Sequence, residues 1–119
     1  MQYGFLLLAF VFIGCASRPK PLENELDPAV VKQVLDEHAV PIRHCYEKEV
    51  KYRTLIKGSS ILQWEVTPAG RVDNVVVVGS FDQFVENCLV SALKEFRFPI
   101  GPDQRVRRAR HQFRFDIEK

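Results

Sequence analysis

Ser60-Ile-Leu-Gln-Trp-Glu-Val-Thr-Pro-Ala-Gly-Arg-Val-Asp-Asn-Val-Val-Val-Val78 is the stretch that decides the fold. Its first half alternates, with Leu62, Trp64 and Val66 on one side and Ile61, Gln63 and Glu65 on the other, the period of a strand with one buried face. Pro68-Ala-Gly-Arg71 is a tight-turn sequence, and the β-branched run from Val72 to Val78, ending at Gly79, reads as the returning strand. Residues 60–67 and 72–78 are therefore expected to form a hairpin.

Upstream, Asp27-Pro28 couples an N-cap acceptor to proline at the first helical position. Val31, Leu35, His38, Ile42, Cys45 and Glu49 follow at spacings of four or three, one face of an amphipathic helix. Pro41 removes a backbone donor and crowds the preceding turn, so the helix should bend or split near Val40, and Lys57-Gly58-Ser59 ends the segment. Downstream, Ser80 and Gln83 offer a capping box, and Phe81, Val85, Cys88, Leu89, Ala92 and Phe96 mark the buried face of another helix, stopped by Arg97-Phe98-Pro99. Residues 105–117 alternate again, with Arg107, Ala109, His111, Phe113, Phe115 and Ile117 on one face and Arg108, Arg110, Gln112, Arg114 and Asp116 on the other. The order α-β-β-α-β predicts an α+β domain, a three-stranded antiparallel sheet with two helices on one face.

The N-terminus has a different character. Residues 1–14 carry no charged side chain, and the nine apolar residues from Phe5 to Ile13 have the length of a signal-peptide core. A membrane span needs roughly 20 apolar residues, so this run is expected to be a cleaved export signal. Phe12-Ile-Gly-Cys15 resembles the lipobox of bacterial lipoproteins, which implies lipidation of Cys15 as the mature N-terminus. Ala16 after it resembles an outer-membrane sorting signal more than an inner-membrane one. The expected organisation is a signal peptide over 1–14, the lipidated cysteine with a short tether over 15–26, and a folded domain over 27–119. A tether of eleven residues reaches less than ~40 Å when fully extended, which holds the domain close to the membrane.

The composition is that of one globular domain: 119 residues, 46% hydrophobic and 27% charged, with a formal net charge of +2 that announces neither a nucleic-acid nor a strongly membrane-adsorbing protein. The charge is uneven. Residues 16–93 carry nine basic and eleven acidic side chains, whereas residues 94–119 carry eight and four. Once Cys15 is lipidated, Cys45 and Cys88 remain as an even pair in an oxidising compartment, with a disulfide as the default reading and two buried thiols as the alternative. No Cys-x-x-Cys spacing supports redox catalysis.

Taken together, Ile42-Arg-His-Cys-Tyr-Glu47, Lys57-Gly-Ser59, Val66-Thr-Pro-Ala-Gly-Arg-Val72, Glu86-Asn-Cys-Leu89 and Phe96-Arg-Phe-Pro99 resemble the AgmX/PglI C-terminal domain, a relative of the TonB C-terminal domain. The resemblance covers about residues 27–117. It implies a small periplasmic module of envelope and gliding-motility systems, one that binds a protein partner by adding a strand at an exposed sheet edge. The sequence shows no inner-membrane helix and no long Pro-rich spacer, so the resemblance carries binding over and not force transmission.

No catalytic residue, cofactor or metal is expected. His38, His44 and Cys45 share no common helix direction, since His44 lies about 120° from His38 and 100° from Cys45 at 100° per residue. His38 reads instead as a helix-face residue with a satisfied hydrogen bond. Arg105, Arg107, Arg108, Arg110 and Arg114 are the candidate partner-binding residues; the competing reading is a solvated face with charges that keep an edge strand from aggregating. An acidic protein, or an anionic envelope polymer such as lipid A phosphate or peptidoglycan carboxylate, suits their guanidinium groups. Nucleic acid does not suit an exported domain whose sheet lacks exposed stacking aromatics. The same edge could pair with a second copy.

Overall fold

A computed structural model describes residues 24–53, 56–101 and 104–116. The expected signal peptide, Cys15 and most of the expected tether lie outside the described residues. In chain order the elements are α1 (Pro28–Glu37), α2 (Ala39–Val50), β1 (Gly58–Val66), β2 (Val72–Gly79), α3 (Gln83–Leu93) and β3 (Arg107–Phe115). The sheet is wholly antiparallel in the order β2-β1-β3, and all three helices lie on one face.

Asp27 caps α1 through its side chain, which accepts from the Ala29 N–H, with Pro28 at the first helical position. The helix expected to bend or split near Val40 is split in two. The break falls at His38, three residues before Pro41, because proline's ring and missing N–H act on the turn that precedes it. Pro41 itself occupies the first turn of α2, where the N–H has no partner to lose. The second helix ends at Val50, well before Gly58. Glycine is needed there as the first residue of β1, since a Cβ would stand 2.8 Å from the Phe81 ring.

The capping box at Ser80 is not formed. Asp82 is the N-cap of α3, accepting from the Val85 N–H, and Ser80 turns to Glu86 instead. The helix stops at Leu93, and Phe96 and Phe98 enter the core from the loop behind it. Residues 24–26, expected in the tether, belong to the folded body: Leu26 is buried and Glu25 forms a parallel bridge to Arg108.

The core lies between sheet and helices. Leu62, Trp64 and Val66 of β1 and Ala109, Phe113 and Phe115 of β3 meet Val31, Val34, Leu35, Cys45, Tyr46, Val85, Leu89 and Leu93. Cys45 and Cys88 are joined in a disulfide that ties α2 to α3, with Cα atoms 5.5 Å apart. Closing this separation of 43 residues constrains the unfolded chain by about 4 kcal/mol. Arg53 adds a polar link between the same helices, meeting Asp82 Oδ2 at 2.8 Å and Glu49 at 3.2 Å.

Glu86 is the one buried carboxylate among the described residues. It accepts from the hydroxyls of Ser60 and Ser80 and from the N–H groups of Phe81 and Asp82. Burial pushes its pKa up, but these four donors outweigh burial and hold the carboxyl below its ordinary range. One ionised side chain thus joins β1, the β2–α3 loop and the start of α3.

Candidate functional site: the free edge of β3

The described pairing of β3 with β1 runs without a register shift from Gly58 opposite Phe115 to Val66 opposite Arg107. Ala109, Phe113 and Phe115 face the helices, and Arg108, Arg110, Gln112 and Arg114 face solvent on the other side of the sheet. Main-chain groups of alternate residues point to opposite neighbours in such a ladder. Arg108 points away from β1, because its N–H donates to the Asn24 carbonyl and its carbonyl accepts from the Leu26 N–H, at 2.9 and 2.8 Å. By the same alternation, the N–H and C=O groups of Arg110, Gln112 and Arg114 also point outward. Among the described residues nothing pairs with them.

A groove of about 360 Å³ runs along this free stretch, between β3 and the α1–α2 corner. Leu35, Ala39, Ile42 and Tyr46 form its helical wall, and His111, Phe113 and Phe115 its sheet wall. Tyr46 stacks on Phe115 with ring centroids 5.1 Å apart and donates its hydroxyl to the Ile56 carbonyl. Burial, and then Asp116, raise its pKa, so the phenol stays a neutral donor. His111 lies edge-on to Phe113, and burial lowers its pKa against an opposing pull from Asp36.

The five arginines divide. Arg108, Arg110 and Arg114 form an exposed column on the outer sheet face, where Arg110 donates to Gln63 Oε1. Arg105 and Arg107 line a separate cleft with residues 24–27 and the loop from Pro99 to Gly101, the Arg107 guanidinium filling the space a Cβ on Gly101 would need. Among the described residues no carboxylate lies within 4.0 Å of Arg108, Arg110 or Arg114. His38 stacks on Phe96 at 4.1 Å and bonds the Val34 carbonyl through Nδ1, as a helix-face histidine should. Among the described residues no three His, Cys, Asp or Glu side chains gather to hold a metal, and no helix is long and apolar enough to cross a membrane.

Sequence reasoning missed the groove and the division of the β3 edge into a covered and an open part. Tyr46, beside Cys45 in the sequence, was the available sign of the helical wall; no local sign marks Asn24 and Leu26 as a strand partner.

An open three-stranded antiparallel sheet backed on one face by three helices, with a groove beside its free edge strand, defines the fold class as α+β. The structure is similar to the solution NMR structure of the Pseudomonas aeruginosa TonB C-terminal domain, with a TM-score of 0.52 and 24% identity over 62% of this chain and 78% of that one. The chain therefore has a TonB C-terminal-like fold. No protein-family model and no curated protein matches it.

Proposed function

We propose that this chain is a non-enzymatic lipoprotein facing the periplasm, an interaction module of a cell-envelope complex related to the AgmX/PglI and TonB C-terminal domains. In this reading residues 1–14 are an export signal, Cys15 carries the lipid, and the domain takes a protein partner by strand addition at β3. The observation that carries it is the row of main-chain groups on Arg110, Gln112 and Arg114, unpaired among the described residues, beside the groove. The short reach from Cys15 to the fold keeps that edge near the anchoring membrane, by preference the outer one.

Gln112→Pro tests the strand addition. Its N–H points outward, so proline removes a donor for the partner and no bond to β1. Capture of a discrete protein from detergent-solubilised envelope should disappear in Gln112→Pro while the melting temperature changes little. A second reading, an accessory lipoprotein on an anionic envelope polymer, is favoured by the arginine column, which has no carboxylate partner among the described residues. It requires recovery of peptidoglycan or lipopolysaccharide that survives Gln112→Pro and is lost in Arg108→Glu, Arg110→Glu.

A further inference from the structure

The open edge also sets what kind of strand fits it. Leu26 blocks one end by occupying the Arg108 carbonyl, and β3 stops at Phe115 at the other. At ~3.4 Å per residue the stretch between them takes a strand of about six residues. Side chains of an added strand alternate between the two faces of the sheet, and the two faces differ in chemistry.

On the outer face the incoming residues meet Arg110 and Arg114. The β1 residues across from them, Gln63 and Ser59, carry no charge, whereas Arg108 in the covered part stands across from Glu65. Of these three arginines, the two that face no carboxylate directly across β1 are thus the two on the open stretch. On the inner face the incoming side chains enter the groove against Leu35, Ile42 and Tyr46. The charged residues that line the groove, Asp36, Arg43, Arg114 and Asp116, are balanced in sign, so nothing there favours an inward carboxylate. Opposite charges across neighbouring strands stabilise and like charges oppose, and burial in the groove favours apolar groups.

We infer that the edge of β3 selects a short strand whose residues alternate between apolar, facing the groove, and acidic, facing Arg110 and Arg114. This rests on the strand-addition reading and specifies its partner as an acidic, amphipathic extended segment.

The test uses full-length protein in detergent and fluorescein-labelled peptides read by anisotropy: Thr-Val-Glu-Val-Glu-Val-Thr, its Lys-for-Glu counterpart, and the acidic peptide with alternate amides N-methylated. The acidic peptide should bind about tenfold more tightly than the basic one at low salt. Arg110→Gln, Arg114→Gln should erase that preference, and salt should narrow it. Equal binding of both peptides, still abolished by N-methylation, overturns the charge selection and leaves strand addition standing. Acidic-peptide binding that survives N-methylation and Gln112→Pro overturns strand addition itself and leaves an anion-binding arginine column. Failure of both peptides to bind overturns both readings.

Discussion

The two edges of this sheet solve the same problem differently. Each is covered at one end by a short piece of its own chain: Asn24 and Leu26 bond Arg108 at the start of β3, and Phe98 bonds Gly70 before β2, with Arg71 bridged to Arg97. Beyond the cover the edges diverge. The β2 edge carries two register shifts against β1 and a left-handed residue, Asn74, at φ 49°. Bulges disturb the even spacing of outward N–H and C=O groups that an added strand needs, so β2 can expose Val76, Val77 and Val78 without offering a template. The β3 edge keeps an unbroken register and, among the described residues, carries exposed charges in place of a cover. In the proposed function the regular, charged and grooved edge is the one that takes a partner, and the irregular one stays unpaired.

The largest way to break this contrast is through the helical wall. Replacing Cys45 and Cys88 together by Ala should cost about 4 kcal/mol in urea unfolding, and it loosens α2, the wall beside the β3 edge. Leu26→Ala comes next. This side chain is 3% exposed, so its loss should cost about 3 kcal/mol, and hydrogen exchange at Arg108 should rise as the cover detaches. The matching change on the other edge is Gly70→Ala. Gly70 sits at φ 81°, and a Cβ would lie 2.2 Å from the Phe98 carbonyl oxygen, so about 2 kcal/mol should be lost with exchange rising at Phe98.

The pH dependence sharpens the account of what holds the β2–α3 corner. The folded pKa of Glu86 lies below its unfolded value, so its contribution is fully present above the unfolded carboxyl value of about 4.3 and is lost as pH falls through the lower folded one. Asp82, held down first by its hydrogen bond from Arg53, acts in the same direction. Unfolding free energies measured from pH 7 to 3 should therefore fall more steeply for the native chain than for Glu86→Gln. The smallest expected effect is at the exposed β2 valines: Val77→Lys should shift stability by less than ~0.5 kcal/mol and leave partner capture intact, in contrast to Gln112→Pro.

Much of the fold was legible because its signals are local. The alternation of Leu62, Trp64 and Val66, the Pro68 to Arg71 turn, and the Asp27-Pro28 start each read correctly, since strand period, turn chemistry and capping depend on neighbours in sequence. Local reading failed at Ser80, where a plausible cap lost to Asp82 because a carboxylate six residues on, Glu86, recruited the hydroxyl in three dimensions. It failed also at the expected end of α3, since Phe96 is buried from the loop beyond Leu93 and not on the helix face. At the site, the separation of Arg108, Arg110 and Arg114 from the inward residues of β3 was readable from a period of two.

By itself, then, the sequence determined the order of elements, the faces of the strands, the paired cysteines and the basic character of the last strand, all properties of periodicity and composition. Which edge lies open was decided by the tertiary structure alone. Leu26 covers Arg108 from 82 positions away, and the groove brings Ile42 and Tyr46 of α2 to the same gap as His111 and Phe113 of β3. Contacts between residues so far apart in the chain carry no local signature, because their free energy arises only when the packed core brings them together.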